Sequence, residues 1–251
     1  MNKLCVIARN HSTYFMKRLT EEVDLDVFNP WESAHLPLAE NYLVRTTGVY
    51  GDDRDLEVLR KTERNVINPV LSHELLRDKS RQFTLLENAE LPVIPWRRLD
   101  SCEDFLPDKI LVKPIRGQGG WGIKVMGKEE FLSWKTSTTD RSWIIQPYLE
   151  GQSEFRLFFC GGEEILLERT GDLAANFTQG GEARRIPMKD DFKGLVSKIR
   201  KLTGIQYGAI DLFLTKGELR ILEINPVPGI EQLEKVTGEN IIRKVLSLFQ
   251  V

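Results

Sequence analysis

Near the amino terminus, short apolar runs alternate with an amphipathic segment. Apolar residues are frequent in the runs 4–8 and 23–28, and the segment 12–22 between them carries apolar residues at helical spacing. Short apolar runs bounded by polar turns are typical of strands, whereas apolar positions three and four residues apart are typical of a helix. The order strand, helix, strand predicts an α/β lobe, which we place at 1–75.

The pattern changes after residue 108. Seven strand-like apolar runs follow one another, separated by glycine-containing turns and by predicted helices at 129–135 and 191–202, and a last helix is predicted at 240–249. Strands that follow each other through short turns favour antiparallel pairing. We therefore predict a mixed fold, with an α/β start and a largely antiparallel α+β body.

Composition and charge narrow the class of protein. The 251 residues include 35 basic and 37 acidic side chains, giving a formal net charge of -2, and three widely spaced cysteines without a C-x-x-C pair. A net charge this small does not produce the long-range field by which a protein binds nucleic acid or a membrane surface nonspecifically. No apolar run reaches the ~18 residues of a membrane helix. Unpaired cysteines are typical of reduced thiols. We expect a cytoplasmic globular protein that binds neither nucleic acid nor membrane.

A glycine-rich loop at 117–122 lies between two predicted strands. Its sequence G-Q-G-G-W-G fits G-x-G-x-x-G, but it leads into a strand, whereas a dinucleotide-binding loop opens a helix. Glycines in a hairpin loop let backbone N–H groups approach a phosphate. Lys113 precedes the loop inside an apolar strand, where a buried ammonium needs an anionic partner. In a protein kinase the corresponding lysine lies on a strand after the loop, so the order of lysine and loop disfavours a kinase. The alternative is a flexible hairpin with an ordinary strand lysine.

Two later strands, 209–214 and 219–225, form a predicted hairpin with an acidic pair. If the turn is centred on Gly217, Asp211 lies opposite Glu223. Two facing carboxylates between apolar neighbours repel each other and are costly to desolvate, so a positive group is expected between them.

Asn225 shares the face of Glu223 because side chains alternate along a strand. Two carboxylates and an amide form an all-oxygen set that suits Mg²⁺ bridging to substrate phosphates. The alternative is a surface salt bridge from Arg220 or Lys216 to one carboxylate, and a turn centred half a residue away would separate the acidic pair.

Together these motifs resemble the ATP-grasp superfamily and, within it, the RimK-like ligases related to the ribosomal-protein glutamate ligase. The resemblance covers nearly the whole chain and implies an ATP-grasp fold with the short lobe at 1–75, a small lobe with the glycine flap at 76–148 and a large lobe with the metal-binding hairpin at 149–251. The segments that carry it are RDK at 77–79, KPIRGQGGWGIKV at 113–125, IIQPYLEG at 144–151, EFR at 154–156, NFTQGG at 176–181, AIDLF at 209–213 and LEINPVPGIEQLEKVTGENI at 222–241.

The resemblance also implies roles for individual residues. ATP contacts are implied for Lys79, Lys113, Gly117, Gln118, Gly119, Gly120, Gln146, Pro147, Tyr148 and Glu154. Ligation of Mg²⁺, with Mn²⁺ as the alternative ion, is implied for Asp211, Glu223 and Asn225. Arg156 and Arg169 are expected to hold a carboxylate or an acylphosphate, and Asn176 is expected to orient one of these groups.

The implied reaction joins a carboxylate to an amine. The carboxylate attacks the γ-phosphorus of ATP, and an amine then attacks the acylphosphate to give an amide, ADP and phosphate. The expected substrates are an amino acid, a peptide or a protein acceptor, and the sequence leaves a homo-oligomer open.

One departure from the family pattern concerns the segment before Asn176. RimK-like ligases carry an arginine where this chain has Ala174, and Gln179 replaces a basic residue before Gly-Gly. Three explanations follow. Either Arg184 or Arg185 substitutes, or the acceptor differs, or the protein is a non-catalytic ATP-binding module. Phosphotransfer to another acceptor is a further alternative on the same fold.

Overall fold

The fold is described from a computed structural model, which covers residues 4–47, 52–62, 64–117, 119–149, 153–170, 182–215 and 217–249. The helices in these ranges are α1 Tyr14–Glu22, α2 Arg54–Leu59, α3 Val70–Leu76, α4 Lys79–Asn88, α5 Lys128–Ser137, α6 Leu195–Thr203, α7 Glu231–Thr237 and α8 Ile241–Ser247. The strands are β1 Leu4–Ile7, β2 Leu25–Phe28, β3 Asn41–Val44, β4 Asn65–Ile67, β5 Arg97–Arg98, β6 Lys109–Pro114, β7 Lys124–Gly127, β8 Trp143–Pro147, β9 Ser153–Cys160, β10 Glu163–Thr170, β11 Glu182–Ile186, β12 Tyr207–Thr215 and β13 Glu218–Asn225.

The amino-terminal sheet is parallel, with the strand order β2-β1-β3-β4. Its helix α1 begins at Tyr14, later than predicted, because the Thr13 hydroxyl accepts the N–H of Met16 and caps the first turn. Strand β2 begins at Leu25 instead of residue 23, since the N–H of Val23 still bonds to the carbonyl of Leu19 at the end of α1. The predicted α/β start is confirmed.

The other two sheets are antiparallel, which confirms the predicted body. Their strand orders are β5-β8-β6-β7 and β11-β10-β9-β12-β13. The helix predicted at 191–202 is divided into a short 3-10 turn, Asp190–Phe192, and α6, because Gly194 between them has a left-handed φ of 76°. Each sheet lies inside one of the three predicted lobes, whose boundaries stay a prediction.

The five-stranded sheet is apolar on one face and divided on the other. Phe155, Leu157 and Ile210 alternate onto the first face and pack in a core that also contains residues of α4 and α6. On the opposite face, Phe158 and Tyr207 join a second core with α7, α8 and the amino-terminal sheet. Toward the other end of that same face the side chains become charged, and this is where the candidate site lies. No helix of the described segments is long and apolar enough to cross a membrane.

His73 on α3 is fully buried, and neither ring nitrogen has a hydrogen-bond partner within the described part of the chain. Burial, reinforced by the charges of Arg77 and Arg45, holds the pKa of His73 well below its usual value of 6.5. The unfolded chain therefore binds a proton that the folded protein does not. We expect the free energy of unfolding to be unaffected by this group above pH ~6.5 and to fall below it, by up to ~1.4 kcal/mol per pH unit.

Denaturant titrations between pH 7 and pH 5 measure this decline. In His73→Leu the decline should be shallower, because the buried imidazole is replaced by an apolar side chain that cannot take up a proton. His35→Leu is the matched control, since His35 is exposed in a loop, and it should keep the wild-type slope. Equal slopes in all three proteins would contradict the prediction.

Candidate active site

The glycine-rich loop connects β6 to β7, which pair antiparallel from Lys109 opposite Gly127 to Val112 opposite Lys124. Gly119, Gly120 and Gly122 all have positive φ, between 62° and 78°, a conformation that strains other residues. A Cβ at Gly117 would lie only 2.9 Å from Cγ of Pro114. The loop therefore needs glycine, as the flap interpretation requires. Gln118 lies outside the described residues.

Lys113 extends from β6 into the interior and is only 4% exposed. Its Nζ lies 3.5 Å from the carbonyl oxygen of Leu222 and 5.4 Å from the ring centroid of Phe83. No carboxylate of the described residues forms an ion pair with it. Burial lowers the pKa of Lys113 to about 8, although the nearby charge of Glu223 partly offsets this effect. A buried ammonium in this state is a favourable position for an anionic ligand.

Lys79 is the first residue of α4, and its Nζ bridges the flap and the acidic hairpin. It donates to the carbonyl oxygen of Gly117 at 3.0 Å and lies 3.2 Å from Oε1 of Glu223. The backbone N–H of Lys79 bonds to the carbonyl of Ile115 at 3.0 Å. The start of α4 is thus fixed to the segment that follows β6 and leads into the flap, and both predicted phosphate lysines lie near Glu223.

Asp211 and Glu223 lie opposite each other, as predicted, but the reason differs from the one expected. Thr215 pairs with Glu218, so the turn is centred half a residue earlier than Gly217, the case expected to separate the pair. A β-bulge in β13 corrects the register, and Asp211 pairs with Glu223. The condition of a turn centred on Gly217 is therefore not met, whereas the expected opposition of the two carboxylates is confirmed.

Asp211 is neutralised by arginines of neighbouring strands. Arg156, directly opposite on β9, donates two hydrogen bonds to it at 2.7 and 2.8 Å, and Arg169 on β10 lies 3.4 Å away. Burial opposes ionisation, but the two guanidinium groups outweigh it and lower the pKa of Asp211. Arg220 pairs with Glu218, so its predicted alternative role as partner of the acidic pair is wrong.

Glu154 lies beside these arginines on β9 and pairs with Arg169. Burial raises the pKa of Glu154, and the charge of Asp211 adds to this, against the attraction of Arg169. Acidic and basic side chains therefore alternate across the neighbouring strands β10, β9 and β12, and arginines separate the carboxylates of Glu154 and Asp211. Lys216, the other predicted partner of the acidic pair, lies outside the described residues.

The donor chemistry of the acidic hairpin fits Mg²⁺ bound together with a nucleotide. No group of three His, Cys, Asp or Glu side chains within the described segments could hold a metal by itself. Asp211 and Glu223 supply two carboxylates, and Oδ1 of Asn225, which accepts the N–H of Val227 at 2.9 Å, keeps a second lone pair. Mg²⁺ characteristically takes one or two carboxylates and completes its shell with phosphate oxygens and water.

Gln146 on β8 shares a face with Lys113, because Gln146 pairs with Leu111 and Lys113 with Ile144. Its amide is fully buried, and neither its oxygen nor its nitrogen has a partner among the described residues. Buried polar groups are nearly always hydrogen-bonded, so this amide is available to a ligand. The neighbouring Tyr148 donates its backbone N–H to the carbonyl of Lys109 at 2.9 Å.

One contact at the flap was not predicted. Arg116, directly before the first flap glycine, donates two hydrogen bonds to Asp53 at 3.0 and 2.9 Å and so ties the flap stem to the start of α2. Its position beside Gly117 was the available signal in the sequence. Asn176, a predicted site residue, lies outside the described residues. The roles predicted for the site residues stay predictions.

Comparisons with known proteins agree with this architecture. A family model described as a RimK-like ATP-grasp domain matches residues 77–249. A relative from Haemophilus influenzae named probable alpha-L-glutamate ligase is 25% identical, in a match covering 70% of this chain and 63% of that protein. The chain therefore spans less than two thirds of that relative's length.

Solved structures share the fold over nearly the full chain. D-cycloserine synthetase DcsG matches with a TM-score of 0.78 and 17% identity, covering 99% of both chains. The ATP-grasp ligase PsnB, solved with a phosphomimetic variant of its minimal precursor, Mg and ADP, matches with a TM-score of 0.73 and 17% identity over 98% of this chain and 97% of that chain. By its motifs, fold and family match, this chain belongs to the RimK-like ATP-grasp family.

Proposed function

We propose that this protein is an ATP-dependent ligase that joins a carboxylate to an amine through an acylphosphate. The observation that carries the proposal is Lys113, a buried ammonium that forms no ion pair with any carboxylate in the described part of the chain and that lies between the glycine flap and the acidic hairpin. A folded protein retains such a charge at a cost, which a phosphate would offset when it binds.

ATP would bind between the four-stranded sheet β5-β8-β6-β7 and the five-stranded sheet. Lys79 and Lys113 would contact its phosphates, and the buried amide of Gln146 would bond to the base. Asp211, Glu223 and Asn225 would hold Mg²⁺, which when bound stabilises negative charge on the phosphoryl oxygens.

The protein's own groups then favour transfer to a carboxylate. The ammonium groups of Lys79 and Lys113 stabilise charge that develops on the transferred phosphoryl group, and the flap excludes water that would hydrolyse the acylphosphate. Arg156 and Arg169 are candidates to bind the carboxylate, since both guanidinium groups face the acidic hairpin.

The proposed substrates are an amino acid and an amino acid, peptide or protein acceptor. Similarity to proteins named glutamate ligases supports an amino acid as one substrate, and similarity to a ligase solved with its precursor supports a peptide as the other.

The test is release of ADP and phosphate from Mg²⁺-ATP with pairwise mixtures of amino acids and short peptides, followed by mass spectrometry. We expect release only with a productive pair, together with a product whose mass equals the two substrates less one water. Tight ATP binding without release for any pair would favour a non-catalytic module, and a stable phosphorylated product would favour phosphotransfer.

A further inference from the structure

Strand β13, which carries two of the three predicted metal ligands, lies at the edge of its sheet. An edge strand leaves every second residue with its backbone N–H and carbonyl directed away from the sheet. Ile224 is such a residue, and it stands between Glu223 and Asn225. What bonds to its backbone therefore determines where both neighbouring side chains lie.

Gln82 on α4 makes those bonds. Its Oε1 accepts the N–H of Ile224 at 2.8 Å, and its Nε2 donates to the carbonyls of Ile224 at 2.9 Å and Leu76 at 3.0 Å. Gln82 is fully buried, so water does not compete for these bonds. Its side chain acts as a one-residue substitute for a neighbouring strand.

The hydrogen bonds from Gln82 to Ile224 lie next to the β-bulge that brings Glu223 opposite Asp211. Leu212 pairs with Ile221 and Asp211 with Glu223, so Leu222 is the extra residue of the bulge. On its other side, the backbone of Ile221 bonds to the carbonyl of Pro92 and the N–H of Ile94. On both sides of the bulge, the backbone of β13 is thus held by hydrogen bonds from groups outside the sheet.

We propose that Gln82 is a positioning residue for the metal and nucleotide site. It holds the bulged register of β13, and because it lies one helical turn after Lys79 it also fixes Glu223 relative to that lysine. This inference rests on the proposed function, since it concerns the same bound Mg²⁺ and nucleotide.

The test measures nucleotide binding by fluorescence, using ADP in EDTA and ADP at increasing Mg²⁺ or Mn²⁺. In Gln82→Met we expect the affinity for ADP in EDTA to stay within about twofold of the wild-type value. The metal concentration that gives half of the metal-dependent gain in ADP affinity should rise about tenfold or more, because loss of the contacts that support metal ligands weakens metal binding by such factors. Gln82→Glu, which keeps an acceptor for the N–H of Ile224, should show a smaller rise and serves if Gln82→Met does not fold.

Ser72→Ala is the matched control, because Ser72 is also fully buried and donates to a backbone carbonyl, that of Thr203 at 2.7 Å. It should lower the melting temperature without changing the metal requirement. Hydrogen exchange in the segment 221–225 should rise in the Gln82 variants alone.

Folded Gln82 variants with the wild-type metal requirement, or an equal rise in Ser72→Ala, would overturn the inference. A wild-type protein whose ADP affinity does not respond to metal would contradict the proposed function itself, and the inference with it, so the wild-type titration separates the two failures.

Discussion

Glu223→Gln is expected to lower ADP release from Mg²⁺-ATP by at least ~100-fold while the protein stays folded. The substitution keeps the size of the side chain and removes one of two carboxylates on which the predicted metal site depends. Glu223 also forms an ion pair with Lys79 at 3.2 Å and is one of the charges acting on Lys113. Its loss would therefore remove a proposed metal ligand and leave two neighbouring ammonium groups less well compensated.

The measurement is steady-state ADP release over a range of Mg²⁺ concentrations, with the melting temperature as a check on folding. Glu218→Gln is the matched control on the same strand, since Glu218 is exposed and pairs with Arg220. It should leave turnover within about twofold, because exposed ion pairs contribute little. Wild-type turnover in folded Glu223→Gln would rule out its assignment as a metal ligand.

The second large effect concerns Lys113→Met, which should weaken ATP binding by about 10- to 100-fold without lowering the melting temperature. Loss of a charged hydrogen bond to phosphate costs about 1.5 to 3 kcal/mol of binding free energy. Holding Lys113 charged in the fold at neutral pH opposes folding, because burial lowers its pKa to about 8. An apolar replacement removes that penalty from the free protein.

Calorimetric titration with ATP and thermal melting without ligand measure the two quantities. The matched control is Lys128→Met, since Lys128 is an exposed lysine at the start of α5, and it should change neither. If Lys113→Met lost stability and kept its affinity for ATP, Lys113 would be a structural residue and the proposed ATP site would lose its main support.

Local sequence patterns were sufficient for the elements that carry the site. Apolar runs joined by a short glycine-containing link predicted the strands around Asp211 and Glu223, and the glycines and the lysine before them predicted a flap. These patterns depend on a residue and its near neighbours in the chain, so they can be recognised without the fold. Helix ends were less well predicted, as at α6, because a single left-handed glycine decided where the helix begins.

Contacts between distant segments could not be predicted in the same way. Arg156 and Asp211 are 55 residues apart in the chain, and they meet because β9 lies beside β12 in the five-stranded sheet. Gln82 reaches Ile224 across 142 residues, and as one polar residue in a helix it carries no local signal of that contact.

The linear order of residues is enough to identify the side chains of the candidate site: two lysines, two carboxylates, an amide and the glycines that let a loop approach them. The charge and the placement of these side chains depend on how the chain packs. The bulge in β13 restored an opposition that the turn alone would have lost, and the arginines of β9 and β10 neutralised Asp211. Burial lowered the pKa of Lys113, which forms no ion pair with a carboxylate of the described residues. The reason is that ionisation and register depend on desolvation and on strand order, which arise only when remote segments pack together.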